Sequence, residues 1–240
     1  KFDICLSSNL RSKNYLKYLG AKNIKYVGNL KFTQTENSVI DLNEDIKNFF
    51  RKKKIWCASS THYNEEKFCA NTHKILKFKY KNLLTIIIPR HVHRANKIKN
   101  EIQKLSLKVH MHNSKKKIDP QTDVYLVNSF GQTKSFFKIC KTVFLGGSII
   151  KHGGQNPLEA IRYGCNVVHG PNVWNFDEIY SLLRKYKVSN KIMTPGQLTA
   201  KIDKILSMKT NSKKIELKIK KLGDKILNST FNELDYFINQ

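Results

Sequence analysis

The stretch T-V-F-L-G-G-S-I-I-K-H-G-G-Q-N-P-L-E, residues 142–159, determines how this 240-residue chain folds. Its first part predicts a short buried strand, because three consecutive apolar residues (143–145) are typical of a strand in a parallel sheet. The strand runs into Gly146, Gly147 and Ser148. Glycine lets a backbone approach a ligand closely, so this turn is a candidate site for an anion.

The second part of the stretch predicts the start of a helix. Asn156 is a good N-cap, Pro157 suits the first helical position, and Glu159 falls where a capping box places its carboxylate. A helix N-terminus carries partial positive charge, so strand, glycine turn and helix start together form the parts of a phosphate site. The same pattern also fits an ordinary tight connection that ends in a capped helix.

The chain around this stretch alternates between short apolar and amphipathic segments. Predicted strands are residues 55–58, 84–88, 108–110, 124–127, 143–145 and 167–169, and predicted helices are residues 65–78, 94–104, 133–140, 157–163 and 176–186. This alternation predicts an α/β protein with a doubly wound parallel sheet. Outside this region, strands are predicted at residues 2–6 and 24–27, and helices at residues 8–19, 197–208, 213–227 and 230–238.

Polar residues and glycines follow five of the predicted strands. The carboxyl ends of parallel strands meet at one edge of the sheet, and α/β sheets bind ligands there. Arg90 is the best anion partner among these residues, because its planar guanidinium binds a phosphate or carboxylate with two hydrogen bonds. We therefore expect a ligand cleft at this edge, lined by residues 59–66, 89–91, 128–132, 146–148 and 170–176.

Several side chains of the predicted cleft have two interpretations. Ser60, Thr61 and His62 offer hydroxyl, amide and imidazole groups to an anion. Glu66 fits this group, but it is equally an acid of the first helical turn, favoured by the helix dipole. Glu159 either caps its helix or accepts hydrogen bonds from a ribose.

The sequence lacks the pattern of a catalytic base with an orienting partner, and it lacks a metal site. His91 and His93 form an H-x-H pair, but no acidic or cysteine residue follows at supporting spacing. The five cysteines show no C-x-x-C spacing, which is typical of a reduced cytoplasmic protein. No apolar run approaches the ~20 residues of a membrane span.

The formal net charge of +26 is the most unusual property of the composition. Lysine accounts for 38 of the 44 basic residues and is spread over the whole length. Such uniform enrichment indicates a compositional bias, and no nucleic-acid-binding motif accompanies it. We therefore expect no specific nucleic-acid partner, whereas a basic surface would favour anionic membranes.

Five motifs, taken together, resemble one known family. They read S-S-T-H-Y-N-E-E (residues 59–66), I-I-P-R-H (87–91), V-F-L-G-G-S (143–148), G-G-Q-N-P-L-E-A (153–160) and G-P-N-V-W-N-F (170–176). In this order they resemble the 3-deoxy-D-manno-octulosonic acid (Kdo) transferases of lipopolysaccharide assembly. G-N-L-K-F (residues 28–32) resembles the interdomain linker of that family, and the resemblance covers residues 2–179.

The resemblance implies a two-domain glycosyltransferase of the GT-B fold, with Rossmann-like doubly wound sheets. Residues 1–35 would be the tail of the N-terminal acceptor domain and the linker. Residues 36–222 would form the C-terminal donor-binding domain, and residues 223–240 a helix that packs back toward the N-terminal domain. The chain begins with Lys1 rather than Met, so we expect a fragment of a longer protein.

The implied reaction is an inverting, metal-independent transfer of Kdo from CMP-Kdo to a lipid A precursor such as lipid IVA. It takes place at the cytoplasmic face of the bacterial inner membrane. No cofactor is expected, and the catalytic base and membrane anchor would lie in the N-terminal domain. The resemblance assigns donor binding to Arg90, Gly146, Gly147, Ser148, Asn156 and Glu159, and in a second group to Ser60, Thr61, His62 and Glu66.

The sequence departs from the family's pattern in two places, a segment of six residues and a single residue. Asn128 to Thr133 (N-S-F-G-Q-T) stand where the family usually has an acidic residue and Gly-Glu-Leu, which removes two negative charges near the cleft. Asn64 replaces a usual glycine. Donor contacts of Asn128 and Gln132 are therefore expected to differ from those of the family.

Two other functions remain open on the same residues. A nucleotide-sugar epimerase or hydrolase of this fold would need its own acid–base residues, and the sequence shows no such set. A basic, non-catalytic binding module would need only the positive charge.

Overall fold

The computed structural model describes residues 2–34, 40–208 and 212–239. It divides into two compact units, one of residues 38–212 and one that joins residues 1–37 to residues 213–240. The predicted boundary after residue 35 falls on residues 35–39, which lie outside the described residues. The other predicted boundary, after residue 222, lies within a helix.

The described strands and helices follow one another along the chain in nearly the predicted order. The strands are β1 (Cys5–Ser7), β2 (Ile24–Tyr26), β3 (Lys54–Thr61), β4 (Leu83–Pro89), β5 (Val109–Met111), β6 (Val124–Leu126), β7 (Thr142–Leu145), β8 (Asn166–His169) and β9 (Ser189–Lys191). The helices are α1 (Leu10–Tyr18), α2 (Glu44–Arg51), α3 (Glu65–Lys77), α4 (Ala95–Gln103), α5 (Thr133–Ile139), α6 (Leu158–Arg162), α7 (Asp177–Lys185), α8 (Pro195–Ser207) and α9 (Ser212–Ile238).

The unit of residues 38–212 is built on a seven-stranded sheet in the order β5-β6-β4-β3-β7-β8-β9. All pairs of neighbouring strands are parallel. The chain places β4, β5 and β6 on one side of β3, with β6 between β4 and the edge strand β5, and then returns to add β7, β8 and β9 on the other side. This arrangement confirms the predicted doubly wound parallel sheet and places its topological switch point between β3 and β7.

Helices cover the central strands of this sheet, which explains their apolar sequences. Every residue of β4 is buried, as expected for a strand covered on both faces. Trp56 of β3, Ile87 of β4 and Phe144 of β7 are fully buried and belong to one hydrophobic core. Each such side chain contributes about 1.5–3 kcal/mol through removal of its apolar surface from water.

Two elements of this unit were not predicted. Helix α2 begins at an Asn43 cap, whose side-chain oxygen accepts a hydrogen bond from the Ile46 N–H at 2.9 Å. Ile46 and Phe50 bury its apolar face. Strand β9 reads Ser-Asn-Lys, without any apolar pattern, and its pairing with β8 alone defines it.

In the unit of residues 1–37 and 213–240, β1 and β2 form a parallel pair joined by α1. The two helices predicted at residues 213–227 and 230–238 are one continuous helix, α9. The Thr230 hydroxyl donates to the Ile226 carbonyl at 2.8 Å, an interaction that lets a hydroxyl residue continue a helix. Gly223 is required inside α9, because a Cβ there would lie 2.6 Å from the Phe32 carbonyl oxygen.

Among the described residues, no helix is both long enough and apolar enough to cross a membrane.

Candidate functional site

The five predicted cleft segments do lie at one edge of the sheet. Because all seven strands are parallel, residues that follow β3, β4, β6, β7 and β8 emerge from the same side. The loops after β3 and β7 flank the switch point, where neighbouring connections run in opposite directions and leave a crevice. The sequence therefore predicted the position of the candidate site correctly.

The end of β3 is distorted where it meets the glycine turn after β7. The pairing of β3 with β4 shifts register between Ser59 and Thr61, and Ser60 has a positive φ of 55°. Its carbonyl oxygen would lie 2.4 Å from a Cβ at Gly146. Gly146 is thus a glycine because the two loops are in close contact at this point.

A buried carboxylate, Glu65, joins the two loops at the switch point. Its Oε2 accepts hydrogen bonds from the N–H groups of His62 at 3.0 Å and Gly147 at 2.7 Å. Its Oε1 accepts from the N–H groups of Ser148 at 3.1 Å and Ile149 at 3.0 Å. Glu65 is 0% exposed, so the anion bound by the glycine turn is a residue of the chain itself.

This arrangement corrects the expectation that the amides of the turn receive a ligand phosphate. The N–H groups of Gly147 and Ser148 donate to Glu65, and the Gly146 N–H donates to the Ser59 carbonyl at 2.9 Å. Ser148 is 0% exposed, and its hydroxyl donates to the Leu145 carbonyl and accepts from the Gly170 N–H. A ligand would have to meet this turn through other atoms.

Glu66 also has partners within the chain, and it is only 2% exposed. Arg94 donates to both of its oxygens, and the Thr61 hydroxyl donates to Oε1 at 3.1 Å. Burial raises the pKa of Glu66, and the hydrogen bonds from Arg94 oppose that rise. The donor contacts predicted for Glu66 and Thr61 stay a prediction, and in this arrangement both side chains are buried.

Arg90 and three histidines lie together beside the glycine turn. Arg90 follows β4 and is exposed, and its N–H donates to the Thr61 carbonyl at 3.0 Å. The ring of His62 lies 4.2 Å from that of His152 and 5.8 Å from that of His91. His91 and His152 are exposed. These groups surround the crevice beside the glycine turn.

His62 is the buried member of this group, at 7% exposure. Burial, together with the positive charges of His152, His91 and nearby arginines, lowers its pKa to about 4. Its ring is therefore neutral at pH 7. Its Nε2 atom is buried, has no hydrogen-bond partner among the residues that the structure describes, and lies 3.3 Å from the Cβ position of Gly147. An unpartnered buried nitrogen beside a glycine is suited to a polar group of a ligand.

The loops after β7 and β8 are held together by the second glycine pair. A Cβ at Gly153 would lie 2.2 Å from the Asn175 side-chain nitrogen, and one at Gly154 would lie 2.9 Å from the Val173 side chain. Gly154 also donates its N–H to the Gly147 carbonyl at 2.8 Å. This pair thus fixes the wall of the crevice opposite β3.

The predicted helix start is present one residue late. Helix α6 begins at Leu158, whose N–H donates to the Asn156 side-chain oxygen at 3.1 Å. The N-cap position is therefore Pro157 and not Asn156 as predicted, although the exposed Asn156 side chain still accepts a hydrogen bond at the helix start. Glu159 lies in the first turn, half-buried, with an oxygen 4.0 Å from the Lys134 ammonium.

Sequence reasoning placed Glu65 in the predicted cleft segment 59–66 but did not predict the buried roles of Glu65 and Arg94. Both act through other site residues, and no short motif distinguishes a buried first-turn acid from an exposed one. Among the described residues, no group of three or more His, Cys, Asp or Glu side chains is placed to hold a metal ion.

Comparison with known proteins relates this chain to a family. It is 30% identical over 184 residues to a 3-deoxy-D-manno-octulosonic acid transferase of Haemophilus influenzae, covering 75% of this chain and 43% of that protein. It is 26% identical to the enzyme of the same name from Aquifex aeolicus, covering 89% of this chain and 56% of that protein. The chain is related to the Kdo transferases.

The relationship to the Kdo transferases confirms the family that the five motifs indicated. No protein-family model matches the sequence. The chain spans about half the length of the Kdo transferases that it matches, 43% and 56% for the two above.

A solved structure supports the fold class predicted for this chain. The C-terminal CMP-Kdo binding domain of WaaA from Acinetobacter baumannii matches with a TM-score of 0.62 at 22% identity, covering 77% of this chain and 93% of that domain. The predicted α/β fold with a Rossmann-like, doubly wound parallel sheet is confirmed.

Proposed function

We propose that this chain is the donor-binding part of a Kdo transferase, a glycosyltransferase that moves Kdo from CMP-Kdo to a lipid A precursor in lipopolysaccharide biosynthesis. The matched relatives carry that enzyme name, and the matched domain is described as binding CMP-Kdo. The proposal extends these properties to a chain that shares their sequence and fold.

The observation that carries the proposal is the basic crevice at the switch point. CMP-Kdo bears a phosphate and a carboxylate, both anionic at neutral pH. Exposed Arg90 and His91 lie beside His62, whose Nε2 is without a partner. A guanidinium binds either anion with two hydrogen bonds, so Arg90 is the residue proposed to hold the phosphate or the carboxylate.

The remaining donor contacts are proposed for residues that border the crevice and reach its surface. Half-buried Ser60 lies on the β3 side. Asn156 and Glu159 lie at the start of α6, where Glu159 would accept hydrogen bonds from the ribose hydroxyls of CMP. Gly147 is buried and its amide serves Glu65, so its proposed role is to leave room for the His62 ring, which lies 3.3 Å from its Cβ position.

The whole protein is proposed to act without metal or cofactor and with inversion at the anomeric carbon, on lipid IVA or a similar acceptor. Its catalytic base and acceptor site are proposed to lie outside this chain, because no base with an orienting partner occurs in the cleft described here. It is proposed to act at the cytoplasmic face of the inner membrane, where its basic surface would meet anionic lipids.

Calorimetric titration of the 240-residue chain with CMP and CMP-Kdo tests donor binding. We expect binding of both, and at least a ~10-fold loss of affinity in Arg90→Ala, because a charge-assisted hydrogen bond contributes about 1.5–3 kcal/mol. Arg51→Ala, an exposed arginine of α2 at the opposite edge of the sheet, is the control and should bind normally. Binding that is unchanged in Arg90→Ala, or absent from the unmodified chain, would contradict the proposal.

Transfer itself is tested in the complete protein that carries this chain, with radiolabelled CMP-Kdo and lipid IVA. Labelled lipid is expected with the complete protein, and none with the 240-residue chain alone. Turnover of a nucleotide sugar without any acceptor would indicate the epimerase or hydrolase alternative. Binding of acidic lipids without any affinity for CMP would indicate a basic binding module.

A further inference from the structure

Glu65 is a fully buried carboxylate at the centre of the cleft, and none of the donor contacts proposed above involves it. We propose that Glu65 is a positioning residue, whose carboxylate serves as a built-in anion for the glycine turn after β7. It holds that turn and the backbone of His62 in one arrangement. Without the Glu65 side chain, the backbone amides that it binds would form a site for a small carboxylate or phosphate ion.

The hydrogen bonds of Glu65 are those of an anion site rather than of an ordinary helix cap. Four backbone N–H groups, from His62, Gly147, Ser148 and Ile149, lie between 2.7 and 3.1 Å from its two oxygens. Three of them are consecutive along the chain, which is the arrangement of a backbone nest for anions. Hydrogen bonds to a charged acceptor are roughly twice as strong as neutral ones.

The neighbouring residues are adapted to this carboxylate. Gly146 has no room for a side chain, because its Cβ would lie 2.7 Å from Glu65 Oε2. Gly147 turns its N–H toward Glu65 with a φ of +64°. Glu65 is the first residue of α3, where the helix dipole favours a negative charge. It therefore needs no side-chain cation as a partner.

The position of Glu65 explains how one side chain affects both halves of the crevice. Two of its hydrogen bonds go to Oε2 from different loops, His62 after β3 and Gly147 after β7. Glu65 thus links the backbones of two loops that follow neighbouring strands. Loss of Glu65 should move His62 and Gly147 relative to each other. The effect on donor affinity rests on the proposed function, whereas the anion site does not.

Thermal unfolding of the full 240-residue chain tests the built-in anion. Glu65→Gln keeps the shape but offers one acceptor oxygen, and Glu65→Ala removes both. Both variants should lower the unfolding midpoint, by about 5 °C or more for the alanine variant. The matched control is Glu44→Gln, because Glu44 is the first residue of α2 and is exposed. Its midpoint should stay within about 1 °C of the original.

Rescue by small anions separates an anion site from a merely structural contact. Formate or acetate should raise the midpoint of Glu65→Ala saturably and recover roughly half of the loss or more, as expected for a ligand that binds only the folded state. Chloride at equal ionic strength should not. The unmodified chain and Glu44→Gln should show no such response, because in both of them the Glu65 carboxylate still occupies the backbone nest.

Three outcomes would overturn the proposal. The first is an unfolding midpoint of both Glu65 variants equal to that of Glu44→Gln. The second is a lowered midpoint of Glu65→Ala that neither formate nor acetate raises. The third is a rise in that midpoint with chloride as large as the rise with formate or acetate. If Glu65→Ala does not fold by itself, its refolding in formate and in chloride at equal ionic strength gives the same comparison.

Titration with CMP, at a temperature well below the midpoint, tests the positioning role. Glu65→Gln should bind CMP at least ~10-fold more weakly, and formate should restore the affinity of Glu65→Ala. If folded Glu65→Gln bound CMP as tightly as the unmodified chain, the positioning role would be wrong. If the unmodified chain itself did not bind CMP, the proposed function would fail, whereas formate rescue of the midpoint would still stand.

Discussion

Arg94 holds the carboxylate of Glu66 with both of its terminal nitrogens, at 3.0 Å from Oε1 and 3.2 Å from Oε2. Glu66 is almost completely buried, and the Arg94 side chain is largely so. The pair connects the start of α3 to the turn of residues 92–94 that precedes α4. That turn directly follows Arg90 and His91 in the chain.

Arg94→Ala should destabilise the fold by about 3 kcal/mol, because it leaves a buried carboxylate without its partner. The loss should shrink as the pH falls toward ~5, since the unpaired Glu66 can then become protonated. Urea unfolding at pH 7 and pH 5 measures both effects. Lys47→Ala, which breaks an exposed ion pair with Asp41, should leave the midpoint nearly unchanged. An equal loss at both pH values would show that Glu66 stays ionised.

Gly146→Ala should destabilise the chain by about 2–3 kcal/mol or more, because the new Cβ would lie 2.4 Å from the Ser60 carbonyl oxygen. Backbone cannot give way there without a change in the pairing of β3. The matched control is Gly196→Ala, whose Cβ meets only the Thr194 hydroxyl at 4.0 Å in the first turn of α8. That variant should be neutral or more stable by up to ~1 kcal/mol. Equal stability of the two variants would disprove the close contact.

Stability should fall as the pH drops from 6.5 toward 4. Burial lowers the pKa of His62 and of His169 from 6.5 to about 4 in the folded chain. The unfolded chain therefore binds protons first, and the free energy of unfolding decreases by on the order of 2–3 kcal/mol per histidine across that window. Above pH 6.5 these two groups should have no effect.

Urea unfolding at intervals between pH 7 and pH 4 measures this slope. His62→Gln should reduce it, because one of the two buried imidazoles is then absent. His93→Gln, at an exposed position, should leave the slope as it was. An unchanged slope in His62→Gln would contradict the buried neutral state of that ring.

His62→Phe should separate stability from donor binding. The Nε2 atom of His62 is buried without a partner, so a ring of similar shape without that nitrogen should cost little stability or increase it. If Nε2 meets the donor, as proposed, affinity for CMP-Kdo should fall by about 10-fold or more. Thermal unfolding and calorimetry on the same samples measure the two quantities. Unchanged affinity would remove His62 from the donor site.

The edge of the sheet at which the site lies could be predicted from the sequence, but the partners of the site residues could not. The glycine pair at residues 146–147 and the acids at residues 65–66 are both visible in the sequence. That they meet depends on β7 returning to pair with β3, across more than 80 residues of chain. The turn was predicted to receive a phosphate, whereas Glu65 receives its hydrogen bonds.

The sequence by itself determined the alternation of strands and helices, the parallel sheet and the family, because apolar periodicity and short motifs are local. Helix α2, strand β9 and the continuity of α9 depended on packing and pairing that the local pattern does not encode. Only the tertiary structure decided which charged groups near the crevice are buried with partners, such as Glu65 and Glu66, and which are exposed to a ligand, such as Arg90. The physical reason is that burial and hydrogen-bond geometry arise where distant loops meet, and a residue's identity does not specify what it will meet.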